Sequence, residues 1–211
     1  MTEEEARKNR SGLILASEGV PINSTLPLID NSEQAKRRNV EEVADRTMAL
    51  LIVALKGEGL ESGLLTKLIS DLKPHFTARE QIFLDNPAPS QMIKIQFLWR
   101  YEAAWALLWA LKYIEILKRP TAICDAATAT ICIRKRRRQE FIDGSVMRPI
   151  TEILDIADLT YRYHWATRNA GLKNLPMPAG LNNSVIMERH YALNWLIGYC
   201  DEDWDSVTTD T

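Results

Sequence analysis

Trp99-Arg100-Tyr101-Glu102-Ala103-Ala104-Trp105-Ala106-Leu107-Leu108-Trp109-Ala110-Leu111 lies inside the most apolar segment of the chain, residues 90–114. Alanines at 103, 104, 106 and 110 sit between the large rings of Trp99, Trp105 and Trp109. Small residues between large ones let neighbouring helices approach closely, so the segment predicts the central and most buried helix of an all-α fold. Its unbroken apolar run, residues 103–111, is well short of the ~18 residues that a membrane span needs. No membrane association is expected.

Helix signals continue on both sides. Thr2 with Glu5 reads as a capping box, and Gly19 before Val20-Pro21 suits a left-handed helix end. Residues 21–27 then read as an extended connection, since each proline disfavours helix in the residue before it, within a loop over 20–38. Val40, Val43, Ala44, Thr47, Leu51 and Ala54 follow helical spacing, and from Met48 the pattern is apolar on every side. Gly57 and Gly59 are expected to stop that helix. Ser62 starts a third, and Thr77 with Glu80 caps a short fourth. Residues 121–143 mix strand-prone threonine and isoleucine with alanine and are read as helix.

Pro149 suits a first helical position, followed by the stripe Ile150, Leu154, Ala157, Tyr161 and Trp165 up to Gly171. Ser184 is expected to cap a last helix. The tail is polar apart from Trp204 and Val207, which predict that it docks and that Asp203 or Asp205 meets an arginine. The expected architecture is a single-domain globular helical bundle over residues 1–211, with about seven or eight helices and an ordered C-terminal tail.

A formal net charge of −2 with interspersed signs gives no global reason to bind a polyanion. The run Arg134-Lys135-Arg136-Arg137-Arg138 is read as a solvated face, and nucleic acid is disfavoured as a partner. Cys124, Cys132 and Cys200 are odd in number and share no CxxC spacing, so reduced thiols are expected. The N-terminal residues 1–8 lack the basic start and apolar stretch of a signal peptide. A cytoplasmic location follows as an expectation.

No phosphate loop, nucleophile elbow or zinc signature is present, and neither a metal nor a cofactor is expected. What remains are charges set in apolar helices. Glu102 stands among Trp99, Ala103, Ala106 and Trp109, where an unpaired carboxylate costs several kcal/mol. Arg100, Arg148 and Arg189 are its candidate partners. Glu152, Asp155 and Asp158 recur every three residues along one side of a helix, with Arg162 one turn beyond Asp158. Glu188 and His190 are two apart, about 200° around a helix, so they cannot enter one metal site from that segment. His190 and Asn194 share a face, and a buried hydrogen-bonded pair is expected of them.

The chain resembles a bacterial family known as domain of unknown function 4272. The resemblance rests on Arg10-Ser11, Gly19-Val20-Pro21 and Leu26-Pro27, then on Glu41-Glu42-Val43-Ala44 with Arg46. It continues through Trp99-Arg100 with Glu102-Ala103, Leu108-Trp109-Ala110-Leu111, and Arg148-Pro149 with Glu152-Ile153-Leu154-Asp155 and Ala157-Asp158. It ends on Glu188-Arg189-His190, Ala192-Leu193-Asn194-Trp195, Asp203-Trp204-Asp205 and Val207-Thr208-Thr209-Asp210-Thr211. The resemblance implies no activity.

Two functions fit these residues. One is a non-enzymatic interaction or regulatory protein with a protein partner, which the missing catalytic signatures favour. The alternative is an enzyme or small-ligand binder. It would gather Arg100, Glu102, Arg148, Glu152, Asp155, Asp158, Glu188, Arg189 and His190 into a polar pocket walled by Trp99, Trp109, Trp165 or Trp195.

Overall fold

Helices begin where side chains take up the first orphan N–H groups. In a computed structural model describing residues 1–211, α1 (Glu3–Glu18) opens on the Thr2/Glu5 capping box and closes at Gly19 with φ 70°. α2 (Val40–Glu58) opens on a box formed by Asn39 and Glu42, and α3 (Ser62–Leu72) on Glu61. α4 (Ala78–Asp85) uses the Thr77/Glu80 box. There follow α5 (Gln91–Leu98), α6 (Arg100–Ala110), α7 (Ala126–Arg134) and α8 (Arg138–Asp143). Last come α9 (Ile150–Leu172) and α10 (Asn183–Ile197), and no strand is formed. The fold is all-α, with ten α-helices where about seven or eight were expected. Two expected helices are each split in two, and α10 is capped by Asn182 rather than Ser184.

The chain gathers into two compact units. The second comprises Arg38–Leu117 and Cys124–Met147 and is organised by α2. Every side chain from Met48 to Leu55 is almost wholly buried, and α3 to α8 all pack on this helix. Gly57 does not stop it. A Cβ there would lie 2.8 Å from the Lys94 carbonyl oxygen, so glycine is what admits α5, and Gly59 at φ 101° ends the helix.

Residues 90–114 do not form one helix. The Glu102 N–H reaches back three residues to Trp99, a tightened turn that separates α5 from α6. α6 is the buried Trp/Ala-rich part. α5 leaves Met92 and Ile95 exposed. Trp109 is buried, whereas Trp99 and Trp105 are half-buried, so α2 rather than residues 90–114 as a whole is the most buried helix. Residues 121–143 likewise break, at Lys135, into α7 and α8.

The first unit comprises Met1–Arg37, Lys118–Ile123 and Arg148–Thr211. α9 packs against both α1 and α10. Leu15, Val20, Tyr163, Ala166, Leu181 and Ile186 form its apolar centre, and each large side chain buried there contributes roughly 1.5–3 kcal/mol. The Tyr163 hydroxyl donates to Glu18 at 2.6 Å, tying α9 to the end of α1. The tail docks as expected: Trp204 is 4% exposed and meets the rings of Tyr191 and Trp195 edge to face. The expected arginine partner for Asp203 or Asp205 does not appear, because both point to solvent. Asp201 instead pairs with Lys36 at 3.0 Å.

Candidate ligand pocket

The charged candidates on α9 are matched in pairs. Asp158 and Arg162 form a bidentate pair at 2.7 and 2.8 Å, both almost fully buried, and this is the pairing their spacing predicts. Arg148 donates to Glu152 at 2.7 Å, one turn along the chain. Asp155 turns towards α1, where it takes Arg10 at 2.5 Å and the Arg7 Nε at 3.4 Å. Arg7 is buried, and it also donates to Glu3 and to the main-chain carbonyl of Asp30. This holds the connection after α1 against the helix.

Where α9 and α10 face each other, His164 and His190 meet Nδ1 to Nδ1 at 2.8 Å. One nitrogen must carry the proton and the other must be bare, so two neutral rings in this arrangement are of opposite tautomer. Burial pushes His190 down to about 3, with His164 adding to the shift. Burial, then Arg168, brings His164 down to about 4. Neither ring is charged near neutral pH.

Beside this pair a pocket of about 110 Å³ opens to solvent. Residues 27–30 form one wall, and Tyr161 on α9 with His190, Asn194 and Ile197 on α10 form the other. Tyr199 and Asp210 complete it from the tail. Asn194 donates through Nδ2 to the Thr208 carbonyl at 2.8 Å, so the docked tail fixes both the pocket edge and the orientation of this amide. His190 spends Nδ1 on His164 and has Nε2 left over. Tyr161 is 8% exposed, yet its hydroxyl bonds to no protein group, and burial raises its pKa. The pocket therefore offers hydrogen-bonding groups between apolar walls, the usual composition of a small-ligand site.

Of the nine candidates for a shared polar pocket, only His190 lines this one. Glu152, Asp155 and Asp158 are turned towards Arg148, α1 and Arg162. Arg189 donates to the Lys118 carbonyl at 2.7 Å, and Glu188 beside it is buried. Arg100 and Glu102 belong to the second unit, where Glu102, 2% exposed, accepts the Cys124 main-chain N–H. His190 and Asn194 share the expected face but do not bond to each other. Each bonds elsewhere instead, to His164 and to the Thr208 carbonyl. The aromatic walls are tyrosines, not the expected tryptophans. No group of three or more His, Cys, Asp or Glu side chains is placed to hold a metal ion.

Sequence reasoning missed His164, Asp30, Tyr199 and Asp210, and it read Tyr161 as core. Only His164 carried a signal, a lone imidazole within the apolar pattern of α9. Asp30 and Asp210 enter through loops whose course no periodicity reveals.

A sequence model of the family described as "Domain of unknown function (DUF4272)" matches residues 7–207. No curated protein and no solved structure matches the chain. Pro27, His190, Asn194 and Asp210 of the pocket fall in the stretches that carry the family resemblance.

Proposed function

We propose that this chain, which belongs to the DUF4272 family, is a recognition protein of the bacterial cytoplasm that binds a small polar group without turning it over. The observation that supports this reading most is the fate of the charged side chains. Those an enzyme would use as acid, base or ligand, namely Glu152, Asp155, Asp158 and Arg162, are held in pairs. The pocket beside the histidine pair contains a neutral imidazole and a hydroxyl instead. No helix is long and apolar enough to cross a membrane. Three free thiols suit a reducing compartment.

The test is a thermal-shift screen of small cationic, neutral and anionic probes, followed by assays for consumption of each hit. A ligand at a hundred times its dissociation constant adds about 2.7 kcal/mol, or roughly 5–10 °C for a chain of this size. We expect at least one charge class to raise the melting temperature in wild type and less so in Tyr161→Phe. Turnover of the hit, or silence across every class, would overturn the proposal.

A further inference from the structure

The pocket carries charge of one sign. Asp30 and Asp210 stand exposed at its rim, and neither lysine nor arginine lines it. Nearby cations are engaged elsewhere: Arg7 by Glu3, Asp155 and the Asp30 carbonyl, Arg162 by Asp158, and Lys8 by the carbonyls of Ser24 and Leu26. His190, buried against His164, adds no positive charge.

The inner surface is rich in acceptors. The Tyr161 oxygen is unpartnered in a side chain that is more than nine-tenths buried. His190 is 2% exposed and has Nε2 without a protein partner. Asn194, with Nδ2 given to Thr208, has its Oδ1 to offer. With the His190 proton on Nδ1 its Nε2 accepts, and the three groups then match the three N–H donors of a primary ammonium. Pro27, Leu28 and Ile197 supply apolar wall beside them, and Tyr199 supplies a ring that attracts a cation, while the Tyr161 ring already carries the Arg162 guanidinium at 5.9 Å. About 110 Å³ holds roughly three or four water-sized groups, room for an ammonium head and a short alkyl stem.

We propose that the pocket binds a primary ammonium group on a short alkyl stem, carried by a free amine or by the end of a lysine side chain. This rests on the reading of the pocket as a recognition site. An anion would meet two carboxylates. A neutral alcohol would bring one donor to three acceptors and would gain nothing from the rim. An ammonium donating to His190 Nε2 also fixes the tautomers, since His190 must then be the Nδ1–H donor to His164.

The experiment is calorimetric titration of the full chain with n-propylammonium, n-propanol and propionate, at about 20 mM and about 150 mM salt. A lysine-containing tripeptide, blocked at both ends, forms a fourth arm. Asp30→Asn, Asp210→Asn, their double variant and Tyr161→Phe are titrated alongside. The rim residues are exposed, and circular dichroism checks that each variant folds.

We expect n-propylammonium to bind about tenfold or more tighter than n-propanol, and binding to weaken with salt. The double variant should lose about tenfold, and Tyr161→Phe severalfold. The ¹⁵N resonance of His190 Nε2 should move on binding. Tighter binding of the peptide than of the amine assigns the group to a lysine, and the reverse assigns it to a free amine. If n-propanol or propionate binds as tightly as n-propylammonium, or the double variant binds like wild type, the ammonium assignment is wrong while the pocket reading stands. If no probe of any charge binds, the pocket reading fails, and this assignment with it.

Discussion

His164 on α9 and His190 on α10 share one proton between facing Nδ1 atoms 2.8 Å apart, in a space that water scarcely reaches. In the unfolded chain both rings protonate near the ordinary value of 6.5, whereas in the folded chain they stay neutral down to about 4 and about 3. Between these limits the unfolded state binds more protons. Stability is therefore whole above pH 6.5 and falls as the pH drops towards 4. At pH 5 each histidine should cost about 2 kcal/mol relative to pH 7.5. Urea denaturation at the two pH values measures the loss, and replacing both rings by Gln should flatten most of the dependence.

Asp158 and Arg162 are both buried and answer each other with two hydrogen bonds. Removing one partner leaves a buried charge uncompensated, so Asp158→Ala should cost about 3–5 kcal/mol. Replacing the pair together, as Asp158→Leu with Arg162→Met, removes both desolvation penalties and should recover most of that loss. Thermal or chemical unfolding of the three proteins tests it. A double variant no better than the single would show that the charges matter for more than their own pairing.

Helix ends were legible because capping is local. Thr2 with Glu5, Thr77 with Glu80 and Gly19 are each read from a few residues, and each caps as read. The docking of Trp204 followed from its hydrophobicity alone. What failed depended on contacts distant in sequence. Gly57 reads as a stop because the Lys94 carbonyl that requires it lies far along the chain. Asn194 had one polar neighbour on its own helix in view, but not the Thr208 carbonyl brought by the returning tail. The pocket was the least legible part, because its walls come from a loop, two helices and the tail.

The basic run 134–138 is partly used by the fold. Arg138 pairs with Asp45 and donates to the Lys73 carbonyl at 3.1 Å. Arg136 donates to the Cys132 carbonyl at 2.7 Å and lies over the Tyr113 ring. Labelled duplex and single-stranded DNA and RNA should show no micromolar binding at ~0.15 M salt, where the Debye length is about 8 Å. Arg138→Gln should instead lower stability by about 1–2 kcal/mol through the loss of its charged hydrogen bonds. Tight binding that vanishes when the five basic residues become Gln would reverse this assignment.

The tail joins stability to the pocket, and its removal should affect both. Trp204 fills a space beside Tyr191 and Trp195, while the Tyr191 hydroxyl donates to the Trp204 carbonyl. Gly198 starts the turn into this segment at φ 72°, where a Cβ would lie 2.5 Å from the Lys36 carbonyl oxygen. Trp204→Ala leaves a cavity beneath the docked tail, so a loss of about 3 kcal/mol is expected, or roughly 6–12 °C. Once loosened, residues 208–210 no longer fix the Asn194 amide or hold Asp210 at the pocket rim. Deleting residues 202–211 should therefore lower the melting temperature and abolish binding of any pocket ligand. The single change Asp210→Asn should weaken a cationic ligand while leaving the melting temperature of the ligand-free protein almost unchanged. Comparing melts and titrations across the three variants separates the structural share of the tail from its share in recognition. A deletion that melts like wild type would show that the docked segment adds nothing to the fold.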